Sequence, residues 1–226
     1  MKFFIDTAQL SEISQALDWG CVSGVTTNPT LYARTGGDIS AFPEHMKAIC
    51  RMCEGMPVSV ETVAADADGM VADGLRLAAI ADNVVVKLPV SEAGLSACHR
   101  LARQGVRTNM TLVFSAPQAL LAAASGARYV SPFIGRIDDI GQDGAEQLAS
   151  VVECLRKGAY EGANPDGRVE VIAASVRSVE HVTQAALAGA DIVTVPFAVL
   201  KKCLVHPLTT QGIASFEADW KKVESA

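Results

Sequence analysis

Asn83-Val84-Val85-Val86-Lys87-Leu88-Pro89 is the stretch that decides how this chain folds. A β-branched run passing into Leu88 reads as a strand buried on both faces, the kind found in a parallel sheet covered by helices. A lysine is out of place there, because a buried ammonium is costly unless it is paired. The outcome is either a carboxylate partner or a depressed pKa. A partly neutral lysine is a nucleophile whose natural chemistry is a Schiff base with a carbonyl. On this segment alone both readings stand. The other seven lysines lie near the termini or in helix-like stretches of mixed polarity.

Outward from this run, strand-like and helix-like segments alternate along the chain. The strand signals are Phe3–Asp6, Gly24–Thr27, Val58–Val63, Asn83–Leu88, Arg107–Leu112, Tyr129–Phe133, Val169–Ala174 and Asp191–Val195. Helical spacing fills the gaps. In Ala67–Ala81 the residues Met70, Val71, Leu75, Leu77, Ala78 and Ile80 form an expected core-facing stripe. Ser91–Gln104, Ala116–Ser125 and Val179–Leu187 are helical patterns closed by Gly105, Gly126 and Gly189. Eight strand signals, each followed by a helix signal, predict a (β/α)8 TIM barrel, an α/β fold that about 220 residues can build in a lean form. A doubly wound open sheet is the alternative, but neither glycine-rich phosphate-loop pattern that would mark it occurs. Residues 1–226 read as one domain, with a turn at Gly162–Gly167. His206-Pro207 starts a last amphipathic segment, about 207–223, that packs on its own barrel or on a neighbouring subunit.

Composition narrows the function classes. Half the 226 residues are hydrophobic and 19% are charged, as in a compact globular protein. A formal charge of −6 argues against nucleic acid or an anionic membrane as the main partner. A phosphorylated substrate needs only two or three well-placed donors and stays within reach. Asp6 interrupts Phe3-Phe4-Ile5 before a signal-peptide core can form, and no run approaches the roughly 18 apolar residues of a membrane span. Six scattered cysteines read as the reduced thiols of a cytoplasmic protein. Cys50-Arg-Met-Cys53 has CxxC spacing without a second pair.

The polar residues fall at the strand ends. Asp6 ends the first, Thr26-Thr27-Asn28 the second, and Glu61 lies in the third. Lys87 ends the fourth, Asn109 and Thr111 lie in the fifth, Ser131 and Arg136 in or after the sixth, and Ser175 and Arg177 follow the seventh. In a barrel these positions converge on the C-terminal mouth, where barrel enzymes keep their chemistry. A lysine supplies a nucleophile, and two carboxylates can move protons. The Asn, Thr and Ser side chains suit a polyhydroxylated chain, and the two arginines with Ser175 suit a terminal phosphate. That set describes a Schiff-base aldolase-type site for a phosphorylated sugar. His45, His99, His181 and His206 all fall outside strand ends, which weakens a metal-dependent aldolase; no cofactor is expected for the lysine chemistry.

Together, Phe4-Ile-Asp-Thr7, Gly24-Val-Thr-Thr-Asn-Pro29, Val84-Val-Val-Lys-Leu-Pro89, Thr108-Asn-Met-Thr-Leu-Val-Phe-Ser115, Ser131-Pro-Phe-Ile-Gly-Arg-Ile-Asp138 and Ala174-Ser-Val-Arg177 resemble the transaldolase family. They match its short, single-barrel branch, which includes fructose-6-phosphate aldolase. The resemblance implies that Lys87 forms the Schiff base and that Asp6 takes the proton whose loss breaks the carbon–carbon bond. Glu61 and Thr111 would hold a catalytic water. Thr27, Asn28 and Asn109 would lie on the donor side, Ser131 close to the Schiff base, and Arg136, Ser175 and Arg177 on the phosphate. The resemblance further implies a homo-oligomer, pentamer or decamer, with the last helix reaching a neighbour.

The aldolase branch carries glutamine and tyrosine where this chain has Glu61 and Phe133, and both residues here match the transaldolase type. The resemblance thus implies dihydroxyacetone transfer between sugar phosphates, a step of the pentose phosphate pathway, with a lyase using dihydroxyacetone-like donors as the alternative. A non-catalytic sugar-phosphate-binding protein is a more distant one. Met110 and Val176 depart from the commoner valine and phenylalanine and are expected to tune substrate choice.

Overall fold

Each apolar run forms a short strand, and the eight strands close on one another in chain order as a parallel barrel. The computed structural model describes residues 1–157 and 167–225. Its first half runs β1 (Lys2–Asp6), α1 (Leu10–Asp18), β2 (Val22–Thr26), α2 (Pro29–Ala33), α3 (Phe42–Met52) and β3 (Val58–Glu61). It continues α4 (Ala67–Ala78), β4 (Val84–Pro89), α5 (Glu92–Ala102), β5 (Thr108–Val113) and α6 (Ala116–Ala124). Then follow β6 (Tyr129–Pro132), α7 (Ile134–Asp139), α8 (Gly144–Lys157) and β7 (Glu170–Ala173). The chain ends α9 (Val179–Leu187), β8 (Ile192–Val195), α10 (Phe197–Lys202) and α11 (Pro207–Glu224). Closure is made by β1 against β8, where Lys2 to Ile5 pair with Ile192 to Val195. The open-sheet alternative is thereby excluded. The expected turn at Gly162–Gly167 falls, except for Gly167, outside the described residues.

Local chemistry sets the helix ends. Asn28, Asp66, Ser91, Ser115 and Ser178 each accept a hydrogen bond from an N–H in the first turn of α2, α4, α5, α6 and α9. Each such cap stabilises its helix by about 1 kcal/mol. At the far end of α5, Gly105 takes φ 77° and Val106 N–H donates to the Leu101 carbonyl, the pattern a glycine at C′ permits. The same bonding recurs beside Gly126 and Gly189.

The expected stripe of α4 needs one correction. Leu75 is exposed, and the buried face is Met70, Val71 and Gly74. A Cβ on Gly74 would lie 2.7 Å from Leu101 Cδ1, so α4 touches α5 through this glycine, and the neighbouring leucine turns to solvent.

Inside the barrel, Phe4, Val85, Tyr129, Ile172 and Ile192 form a separate apolar floor. Gly24 leaves room for the Phe4 ring, which an added Cβ would meet at 2.6 Å. The larger core lies between strands and helices. α11 contributes nothing to either, having no buried residue. No helix among the described residues is long and apolar enough to cross a membrane.

Candidate active site

Side chains on a strand alternate between faces, so the residue two beyond each floor position points inward one layer higher. Phe4 leads to Asp6, Gly24 to Thr26, Val85 to Lys87, Tyr129 to Ser131, Ile172 to Ala174 and Ile192 to Thr194. All six of these upper residues, and Glu61 beside them, line one cavity of about 400 Å³ at the C-terminal mouth. The strand β5 breaks the rule. Its pairing with β6 shifts between Met110 and Val113, and Leu112 takes φ 58°, a strained conformation for a branched residue. In consequence Leu112 lines the cavity, whereas Thr111 is fully buried and its hydroxyl makes no protein hydrogen bond.

Lys87 is 4% exposed, and its Nζ donates to Glu61 Oε2 at 3.0 Å and to the Thr27 carbonyl at 3.3 Å. Glu61 and Lys87 stand opposite each other on neighbouring strands. The buried lysine is therefore paired with a carboxylate, and the same pairing places a proton acceptor in contact with the amine. The Phe133 ring centroid lies 6.0 Å from Nζ.

Asp6 faces the same space. Burial pushes its carboxyl above the ordinary value; the Lys87 charge and the Thr26 hydrogen bond pull the other way. Thr26 gives its only hydroxyl hydrogen to Asp6 Oδ1 at 2.6 Å, so Thr194, also at 2.6 Å, must donate to Thr26. This hydroxyl chain keeps Asp6 aimed inward.

Of the residues expected at the site, Asp6, Asn28, Glu61, Lys87, Ser131, Phe133, Arg136, Ser175 and Arg177 line the cavity. Asn28 spends its oxygen on the cap of α2 at Leu31 N–H, 2.8 Å, leaving its amide N–H groups to donate. Asn109 does not reach the lining; it is fully buried, donating to Ser59 Oγ at 3.1 Å and accepting from Ser131 Oγ at 2.7 Å. Thr27 lines an adjoining apolar cavity of about 380 Å³ instead. Met110 and Val176 are core residues outside the lining, so any influence on substrate choice is indirect.

The cationic wall is uneven. Arg177 is held by both carboxylate oxygens of Asp139, at 2.5 and 2.6 Å. Arg136 lies 5.3 Å from the Phe133 ring centroid and has no ion pair among the described residues. Arg34, Leu112 and Thr194 also line the cavity, although nothing in the sequence pattern marked them. Arg34 follows α2, a short helix that no pattern in the sequence marked.

Outside the cavity, burial raises the Cys50 and Cys53 thiols to about 11 and about 12, which suits inert core residues. Among the described residues no group of three His, Cys, Asp or Glu side chains is placed to hold a metal ion.

A TIM barrel with a buried lysine, two carboxylates and a cationic rim defines the class of Schiff-base aldolase-type enzymes. The sequence profile of the family described as Transaldolase/Fructose-6-phosphate aldolase matches residues 3–226. The chain belongs to that family. It is 53% identical over 230 residues to a "Probable transaldolase" of Thermus thermophilus, covering 99% of this chain and 100% of that protein. It is 52% identical over 222 residues to a "Probable transaldolase" of Lysinibacillus sphaericus, covering 98% of each. A third of the same name, from Exiguobacterium sp., is 48% identical over 225 residues and 100% of each chain.

Proposed function

We propose that this chain is a transaldolase, moving a dihydroxyacetone unit from a ketose phosphate such as sedoheptulose 7-phosphate or fructose 6-phosphate to an aldose phosphate. The observation that carries this reading is the contact between Lys87 Nζ and Glu61 at the base of a cavity with arginines on its rim. Lys87 passes a proton to Glu61 and attacks the ketose carbonyl. Loss of water then gives the protonated Schiff base, with Glu61 returning the proton to the leaving hydroxyl. The unpartnered Thr111 hydroxyl is suited to hold a water on this relay.

Asp6, made more basic by burial, takes the proton of the hydroxyl on the fourth carbon as the bond to the third carbon breaks. An aldose phosphate leaves, and the three-carbon enamine stays on Lys87. Phe133 has no phenol to protonate that enamine, so it waits for an acceptor aldehyde. Asn28 donates to substrate hydroxyls, and Asn109 acts from below through Ser131. Arg136, Ser175 and Arg177 take the phosphate.

We also place this enzyme in the cytoplasm as a homo-oligomer. Its six cysteines are free, and α11 exposes Leu208, Ile213, Phe216, Trp220 and Val223, a face suited to a second copy. The test of function is release of glyceraldehyde 3-phosphate from fructose 6-phosphate with and without erythrose 4-phosphate. Continuous release with the acceptor, against no more than one equivalent per site without it, supports transfer; equal continuous release without it makes this an aldolase.

A further inference from the structure

The Ser175-Val176-Arg177 turn is fastened from behind by a histidine that does not line the cavity. Arg177 backbone N–H donates to His181 Nδ1 at 3.2 Å, and His181 Nε2 lies 3.0 Å from Asp138 Oδ2. A backbone N–H has only a hydrogen to give, so Nδ1 is the bare nitrogen and Nε2 carries the hydrogen that Asp138 accepts. The other Asp138 oxygen accepts from Gly144 N–H at 2.9 Å. One chain of bonds therefore runs from the start of α8 through α7 and α9 to the Arg177 amide.

The local sequence explains the arrangement. Ser178 caps α9 by accepting from His181 N–H at 3.1 Å, and His181, three residues on, reaches back to the chain entering the helix. A capping box uses Glu or Gln at that position to accept one N–H. Histidine accepts on one nitrogen and donates on the other, so it ties the turn to α7 as well as to its own helix. The turn needs such a tie. Ser175 has φ 60°, and an added Cβ on Gly135 of α7 would lie 2.2 Å from the Ser175 carbonyl oxygen. The turn is pressed against α7 in a left-handed conformation that a serine rarely adopts.

We propose that His181 is a positioning residue for phosphate binding, its Nδ1 fixing the Arg177 amide and with it the Ser175 hydroxyl and the Arg177 guanidinium. This rests on the phosphate reading of Arg136, Ser175 and Arg177. The experiment compares KM for erythrose 4-phosphate and for unphosphorylated erythrose in His181→Asn and His181→Gln. Asparagine places an oxygen near the Nδ1 position; glutamine reaches Asp138 but leaves the Arg177 N–H unpaired. His181→Gln is expected to raise KM for the phosphorylated acceptor severalfold, up to about tenfold, the scale of one lost hydrogen bond, with kcat and the unphosphorylated acceptor unchanged. His181→Asn is expected to stay close to the parent enzyme.

Equal loss in both variants, equal loss for both acceptors, or no change in His181→Gln overturns the proposal. Should His181→Gln not fold, His181→Asn and Asp138→Ala carry the test: phosphate affinity kept in the first and lost in the second supports it, and any other pairing overturns it. Arg177→Ala, run in parallel, separates the two ideas. An unchanged KM there removes the phosphate reading and the proposal together. A raised KM there beside an unchanged His181→Gln removes the positioning role alone.

Discussion

Lys87 Nζ and Glu61 Oε2 are 3.0 Å apart on adjacent strands, paired in register, with the lysine almost wholly buried. The contact serves stability and chemistry at once, and two substitutions separate these roles. Glu61→Ala leaves a buried ammonium unpaired and is expected to cost about 3 kcal/mol of stability. Glu61→Gln keeps an oxygen for Lys87 but cannot exchange protons, so its fold holds while Schiff-base formation slows by about a hundredfold. Chemical denaturation and single-turnover kinetics on both variants check this; equal stability losses would contradict it.

Asp6 links activity to stability with the opposite sign. Burial raises its carboxyl above the ordinary value of 3.8. Between 3.8 and the folded value the folded chain holds a proton there that the unfolded chain has released, and above both values Asp6 is ionised in either state. Stability therefore falls as pH rises from 3.8 toward the folded value, and the loss persists above it. Asp6→Asn removes that loss. Its Tm is expected to exceed the parent's at neutral pH, with the gain shrinking as pH falls toward 3.8, while turnover drops by about a hundredfold or more. Thermal melts across this range decide the point; a lower Tm at neutral pH runs against the burial argument.

Arg136 carries the least compensated charge of the two rim arginines assigned to phosphate, since Arg177 is already held by Asp139. Arg136→Ala is expected to weaken phosphorylated substrates by about 1.5–3 kcal/mol, a rise in KM of roughly tenfold or more, and to spare unphosphorylated ones. Steady-state kinetics with both substrate types measures it, and a uniform loss across the two would remove Arg136 from the phosphate site.

The barrel was legible because its signals are local. Each β-branched run, helical stripe and closing glycine acts within a few residues, and the eight strands and the helices so marked stand close to where the pattern put them. The gathering of the candidate residues at one mouth was legible for a related reason: period-2 alternation carries Phe4 to Asp6 and Val85 to Lys87 without any knowledge of pairing. What escaped depends on three-dimensional register. The shifted pairing in β5 exchanges Thr111 for Leu112 at the lining, and no residue type in Asn109-Met-Thr-Leu112 announces it. The Lys87–Glu61 pair joins residues 26 apart, so a lone strand could not say whether the lysine had a partner. The packing of α4 through Gly74 was hidden because a count of apolar side chains passes over a glycine.

The central claim is that Lys87 forms the covalent intermediate, and borohydride reduction in the presence of fructose 6-phosphate tests it most directly. The expected result is a stable three-carbon adduct whose mass maps to the peptide containing Lys87, and no adduct in Lys87→Met. An adduct on another lysine, or one that persists in Lys87→Met, would contradict it.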